Sequence, residues 1–143
     1  MEEDAALRGY RLLEHTADMT LEAWAPTRTE CLAEAVHALV GSFVDLSTAL
    51  PSESFAVTLP RADDETLLVQ LLDEAIYLLD VFTRVPIDAE VEDADDGGLL
   101  VHFATATPAE VEVIGAVPKA VSLHELSFGQ ENASWRCRVT VDV

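Results

Sequence analysis

Positive charge is scarce in this chain. Eight Lys and Arg residues stand against 27 Asp and Glu, a formal net charge of −19 at pH 7. Capture of nucleic acid through its phosphates needs a basic face, and docking on anionic lipid needs a basic patch, so the composition argues against both. It favours cations, or a cationic surface on another protein. Long apolar runs are missing as well. None approaches the ~18 residues of a membrane span. The opening Met1-Glu2-Glu3-Asp4 is acidic and has no basic start of a signal peptide, so the expected location is the cytoplasm. Only two cysteines occur, Cys31 and Cys137, and neither belongs to a CxxC pair. They read as buried thiols in a reducing compartment, and a cysteine zinc site is disfavoured. His15, His37, His102 and His124 show neither HxxxH nor HExxH spacing, which leaves a histidine zinc site weak. There is no GxSxG, no phosphate-binding P-loop and no GxGxxG. No serine has an evident base. Nothing in the sequence has the pattern of an enzyme acting alone.

What is present is enough for a core. The chain has 143 residues, half of them hydrophobic, which suits a single domain spanning 1–143 with residues 1–8 as a flexible N-terminus. Residues 10–25 read as a strand in two parts, ended by Pro26. Thr27 and Glu30 have the spacing of a capping box, and the apolar positions from Leu32 to Phe43 recur at helical spacing. The spacing predicts a helix from Arg28 to Val44, with Gly41 as its weak point. His37 falls off its apolar stripe and reads as solvated. Phe55, Val57 and Leu59 alternate as a strand closed by Pro60. Asp63, Asp64 and Glu65 then place negative charge at the start of a second helix, which runs through Leu79 to Val81 or Phe82. Strands follow around Ile87–Val91, Leu99–Ala106, Val111–Val113 and Val121–Phe128, with a polar turn over 129–134. The last strand puts Trp135, Cys137, Val139, Val141 and Val143 on one face. The order implies an α+β fold, two helices packed on a mixed, mostly antiparallel sheet.

Two positions invite chemistry. Asp18 follows His15-Thr16-Ala17 inside a strand segment, where Asp fits poorly, so it is either a solvated bulge or a cation ligand. Asp142 lies beside the terminal carboxylate of Val143, and two carboxyl groups within two residues make oxygen donors for a hard cation. If the first and last strands are neighbours, Asp18 and Asp142 share a site. Lys119, the lone lysine, follows Pro118 and reads as a surface residue on its own. Residues 88–96 carry six acids, lack the EF-hand pattern, and read as a solvated acidic tip or a contact for a basic partner.

Taken together, these residues resemble the archease family. The likeness runs through Tyr10, Glu14-His15-Thr16-Ala17-Asp18, Leu21-Glu22-Ala23-Trp24 and Cys31-Leu32-Ala33-Glu34-Ala35. It continues through Phe43-Val44-Asp45, Leu72-Asp73-Glu74 and Pro118-Lys119-Ala120-Val121, and ends on Val141-Asp142-Val143. The resemblance implies an archease-like single domain and a non-enzymatic cofactor of the RtcB-type RNA ligase. Such a cofactor promotes guanylylation of the ligase, restores multiple turnover and broadens nucleotide use in tRNA splicing or RNA repair. It implies a divalent cation, calcium first with magnesium or manganese as alternatives, held by Asp18, Asp142 and an oxygen of Val143. It also implies that Lys119 is a functional lysine near that tip, that His15 is a further contact, and that Asp45 is a second-tier acid. After Val121 this chain has Ser122-Leu123-His124, where the family usually has Thr-Tyr-His. A chaperone-like module whose cation is only structural is the alternative reading.

Overall fold

The computed structural model describes residues 7–14 and 18–143, with Glu14 described by its backbone alone. Strand β1 (Gly9–Glu14) pairs antiparallel with β2 (Asp18–Ala25), so the expected two-part strand is two antiparallel strands. Helix α1 (Arg28–Gly41) starts at Thr27, whose hydroxyl accepts the Glu30 N–H at 3.2 Å. The Glu30 carboxylate takes the Thr27 hydroxyl at 2.9 Å, so only half of the reciprocal box forms. The helix stops at Gly41 and not at Val44. Ser42 caps it by donating its N–H to Ala38 O and its hydroxyl to Leu39 O. Phe43 and Val44 leave the helix because a neighbouring strand claims their backbone: β3 (Val44–Asp45) pairs with β7 (Glu112–Val113). A short 3₁₀ turn, Leu46–Thr48, follows.

Next come β4 (Glu53–Leu59) and helix α2 (Asp64–Phe82), capped by Asp63, whose side chain accepts the Thr66 N–H. Thr83 ends α2 in the left-handed region at φ 53°. Strands β5 (Val85–Asp93) and β6 (Leu99–Ala106) form a hairpin across a turn that contains Gly97 and Gly98. A 3₁₀ turn, Pro108–Glu110, leads into β7. Strand β8 (Ala120–Glu131) then turns tightly at 132–133 into β9 (Ser134–Asp142). The sequence placed that turn over 129–134; strand pairing instead continues through Gln130↔Trp135 and Glu131↔Ser134.

Every pairing is antiparallel, and the main strands divide into two sheets of order β1-β2-β9-β8 and β4-β6-β5. Helix α1 packs against β2 of the first sheet and β5 of the second. That is why it is buried nearly all round, from Cys31 to Val40. Helix α2 packs on β8 through an apolar stripe in which Leu67, Leu68, Leu71, Leu72 and Ala75 are fully buried. Each such leucine contributes about 1.5–3 kcal/mol when removed from water. Cys31 and Cys137 are both free and buried, as expected.

Arginines tie these layers together. Arg28 bridges Asp64 of α2 and Asp93 of β5, and Arg8 bridges Glu30 and Glu34 of α1. His37, expected to be solvated, is instead three-quarters covered and joins Glu34 to Asp88 of β5. The 88–96 segment is thus only partly a solvated acidic tip. Asp88 and Asp93 face cations, and Asp96 accepts the Gly98 N–H.

Candidate functional site

Strand register builds the site. Strand β9 lies between β2 and β8, and the alternating pattern that buries Val139 and Val141 leaves Asp142 on the opposite, exposed face. Asp18 is the cross-strand partner of Asp142. Directly opposed residues of an antiparallel pair project from the same face with Cβ atoms about 4.5–5.5 Å apart. It is β2, the second part of the expected two-part strand, that neighbours the last strand, and the two carboxylates lie at one end of the sheet. One pair inward, Thr20 and Thr140 are buried on that face with their hydroxyls 3.3 Å apart.

The end of β9 is not frayed. The Lys119 N–H donates to Asp142 O at 2.8 Å, Ala120 pairs with Asp142 across the other edge, and the Val143 side chain packs against the core. Lys119 is exposed and its backbone lies beside Asp142, at this same end of the sheet. Asp45 does not join through its side chain. Its carboxylate accepts the Ser47 N–H at 3.0 Å and hydroxyl at 2.6 Å, and these bonds hold it below the usual carboxylate range. It pairs in register with Glu112 on β7. His15 lies outside the described residues.

The donor chemistry suits a hard cation without completing a cage. Two side-chain carboxylates on one face supply oxygen donors, and an oxygen of Val143 could add a third. Calcium takes six to eight. Among the described residues no group of three or more His, Cys, Asp or Glu side chains converges on a metal position. Water or a partner protein would have to fill the other positions, which favours exchange over tight storage.

A larger cleft, about 640 Å³, lies toward the other end of β9 between Arg11, Glu22, Arg136 and Arg138. Burial would raise the Glu22 carboxyl, but hydrogen bonds from Arg11 and Arg138 bring it below its ordinary value. Glu22 is already matched by Arg11 and Arg138, so its carboxylate is not free for a cation. Beside Lys119 lies a second concavity of about 430 Å³, lined largely by apolar side chains that include Val113 and Val117. No sequence motif announces it. Its signal was apolar residues continuing through Ile114 and Val117 in a stretch broken by Gly115 and Pro118, where no element could bury them.

Residues 10–143 match the archease protein family. The chain belongs to the archease family. A "Probable protein archease" of Mycobacterium tuberculosis is 47% identical over 135 residues, spanning 94% of this chain and 75% of that one. "Protein archease" of Archaeoglobus fulgidus is 28% identical over 136 residues, spanning 94% and 98%. The fold is also that of two solved structures. A Methanobacterium thermoautotrophicum protein has a TM-score of 0.74 at 23% identity, over 94% of this chain and 99% of its own. A Thermotoga maritima archease, described as a possible chaperone, has a TM-score of 0.67 at 21% identity, over 93% and 96%. The α+β class and the two-helix architecture expected from sequence are those of the archease fold. No helix among the described residues is long and apolar enough to cross a membrane.

Proposed function

We propose that the chain is a protein cofactor that activates an RtcB-type RNA ligase, promoting its guanylylation and multiple turnover, with a divalent cation carried at the Asp18–Asp142 end. The observation that carries this reading is the register that sets Asp18 against Asp142 with the Lys119 backbone anchored to the same residue. When bound, the cation supplies Lewis acidity and charge neutralisation for phosphoryl chemistry. The chain's own residues do the rest. Asp18 and Asp142 present oxygen donors on one face and leave other coordination positions open. Lys119 places one positive charge beside them, suited to a phosphate as a point charge. The net charge of −19 draws the chain toward a cleft lined with phosphate-binding bases and makes that encounter salt-sensitive. Calcium, magnesium and manganese all suit oxygen donors.

The test is ligation by the ligase of the same organism with RNA in excess, with and without this chain and its Asp142→Ala form. Many turnovers with the wild type and about one with the variant support the reading. No stimulation by the wild type, with the ligase itself active, refutes it. The chaperone reading draws on the exposed apolar residues near Lys119 and on the description of the Thermotoga relative. Suppressed aggregation of unrelated clients without ligase stimulation would favour it.

A further inference from the structure

Val113, Ile114 and Val117 are 55%, 59% and 49% exposed, and they cluster on β7 and the connection that leads to Lys119. Val113 and Val117 border the 430 Å³ groove, whose other side is Phe43, Ile76, Leu79 and Val85. Phe43 and Val85 are buried, so the floor is part of the core's smaller apolar cluster. The backbone holds the groove in shape. Ile114 N–H donates to Phe43 O at 2.7 Å, and Lys119 N–H to Asp142 O at 2.8 Å, which fixes both ends of the connection. Between them Gly115 passes so close to the end of α1 that a Cβ would lie 2.5 Å from Ser42 O. The groove therefore opens at the candidate site and shares Lys119 with it.

Charge selects the occupant. The lining holds one acid, Asp80, and one base, Lys119, and the acidic character comes from outside it: Glu112 and Asp45 are paired on the neighbouring strands, and the chain carries a net charge of −19. A second copy of this chain would bring another net charge of −19 to a surface that already carries −19. A segment with an apolar side chain between Lys or Arg residues would satisfy both the apolar floor and the chain's negative charge. We propose that this groove docks an apolar side chain carried on a basic segment of the partner protein, seated directly beside the Asp18–Asp142 end. The inference rests on the ligase-activator reading, because an enzyme that binds phosphates supplies a basic surface of this kind. An anchor beside the carboxylates would also fix their approach, converting a long-range attraction into one docked geometry.

The test is binding of the purified RtcB-type ligase of the same organism to the full chain, followed by fluorescence anisotropy. The wild type is compared with Val117→Ser, Val113→Ser and Val117→Lys, each checked by circular dichroism melting. Both serine variants keep the surface soluble and alter exposed side chains, so the fold is expected to persist. The expected result is a loss of roughly 5- to 10-fold in affinity for each serine variant, the scale of one lost apolar anchor contact. Val117→Lys should lose more, with the excess shrinking at high salt. If the valine variants all bind within twofold of the wild type while Asp142→Asn weakens binding, the partner reads only the carboxylate end. The groove proposal then falls and the activator reading stands. If the wild-type chain does not bind the ligase at all, the activator reading falls and takes the groove with it. Self-association of the chain that Val117→Ser abolishes would assign the groove to a second copy and overturn the proposal.

Discussion

Without a cation, Asp18 and Asp142 oppose each other with like charge across β2 and β9. Like charges directly opposite in an antiparallel pair are destabilising, by about 0.2–1 kcal/mol. Asp18→Asn removes one charge and nearly preserves shape. In chelator the variant should be more stable than the wild type by about 0.5 kcal/mol, which raises the midpoint of a domain of this size by roughly 1–3 °C. With cation the order should invert. A ligand that binds only the folded chain stabilises it by RT ln(1 + [L]/Kd), about 2.7 kcal/mol at one hundred times Kd. The wild type receives that stabilisation, and the variant, one carboxylate short, receives little of it. The assay is thermal unfolding by circular dichroism, in EDTA and in millimolar calcium, magnesium or manganese. A lower midpoint for Asp18→Asn in chelator would refute the reasoning, because Asp18 would then be a structural acceptor. A wild-type midpoint that none of the three cations moves would show that the two carboxylates form no site.

Three further outcomes follow from the scaffold. His37 is held protonated above its ordinary value by its hydrogen bond to Glu34 and by Asp88, against the opposing effect of burial. Asp88 is the nearer partner, at 2.7 Å against 3.4 Å, but Glu34 is far better shielded from water and so counts more. The His37 contribution is complete below the unfolded value of about 6.5 and is lost as pH rises through the higher folded value. Burial would raise the Glu34 carboxyl, but His37 and Arg8 bring it below its ordinary value; its contribution is complete above about 4.3 and is lost as pH falls through the lower folded value. Denaturant unfolding should therefore show His37→Gln costing on the order of 1 kcal/mol between those limits, and progressively less in alkali; a penalty independent of pH would contradict the clamp. Gly115→Ala must push the connection off Ser42 O and should cost about 1 kcal/mol or more through the Ile114–Phe43 hydrogen bond, visible as faster amide exchange at Ile114; unchanged exchange there would mean the approach is not tight. Phe103→Ala, at a ring 1% exposed in the centre of β6, should cost about 3–5 kcal/mol by equilibrium unfolding, and a cost below about 1 kcal/mol would mean the core refills the space.

The elements with strong periodicity were legible in the sequence. Helix α2 kept its expected limits because its buried face, Leu67 to Leu78, packs on one continuous core cluster. Helix α1 was overextended because Phe43 and Val44 continue an apolar pattern that the 3.6-residue period cannot tell from a strand entering a second cluster. The turn before β9 was drawn too wide because Gly129, Gln130 and Asn132 look like turn residues, whereas pairing with Trp135 and Ser134 keeps Gln130 and Glu131 in β8. Strand β8 also takes five steps, from Ser122 to Ser127, where β9 takes two, from Thr140 to Arg138. No single-strand pattern announces such a bulge, and it leaves Leu123 exposed and Glu125 at positive φ. The Asp18–Asp142 pairing was conditional in sequence because register is a property of two strands. Only one wall of the groove, Val113 to Val117, left a trace in the sequence, because its floor comes from α1's exit, α2 and β5, three segments distant in the chain.

The distribution of bases explains why one end of an acidic protein is singled out. Arg8, Arg28 and Arg84 join elements far apart in sequence, and Arg11 and Arg138 share Glu22 across the outer face of the four-stranded sheet. Such exposed or half-exposed pairs are each worth little, but they consume five of the eight bases in the scaffold. Arg136 lies over the Trp24 ring at 5.5 Å. Among the described residues Arg136, Arg61, beside the turn at Gly97, and Lys119 have no carboxylate partner. Lys119 alone stands beside two opposed carboxylates and an apolar groove. A cation, a phosphate and a nonpolar side chain would each find complementary chemistry within one short stretch of surface, where the remaining surface charge offers mainly long-range attraction.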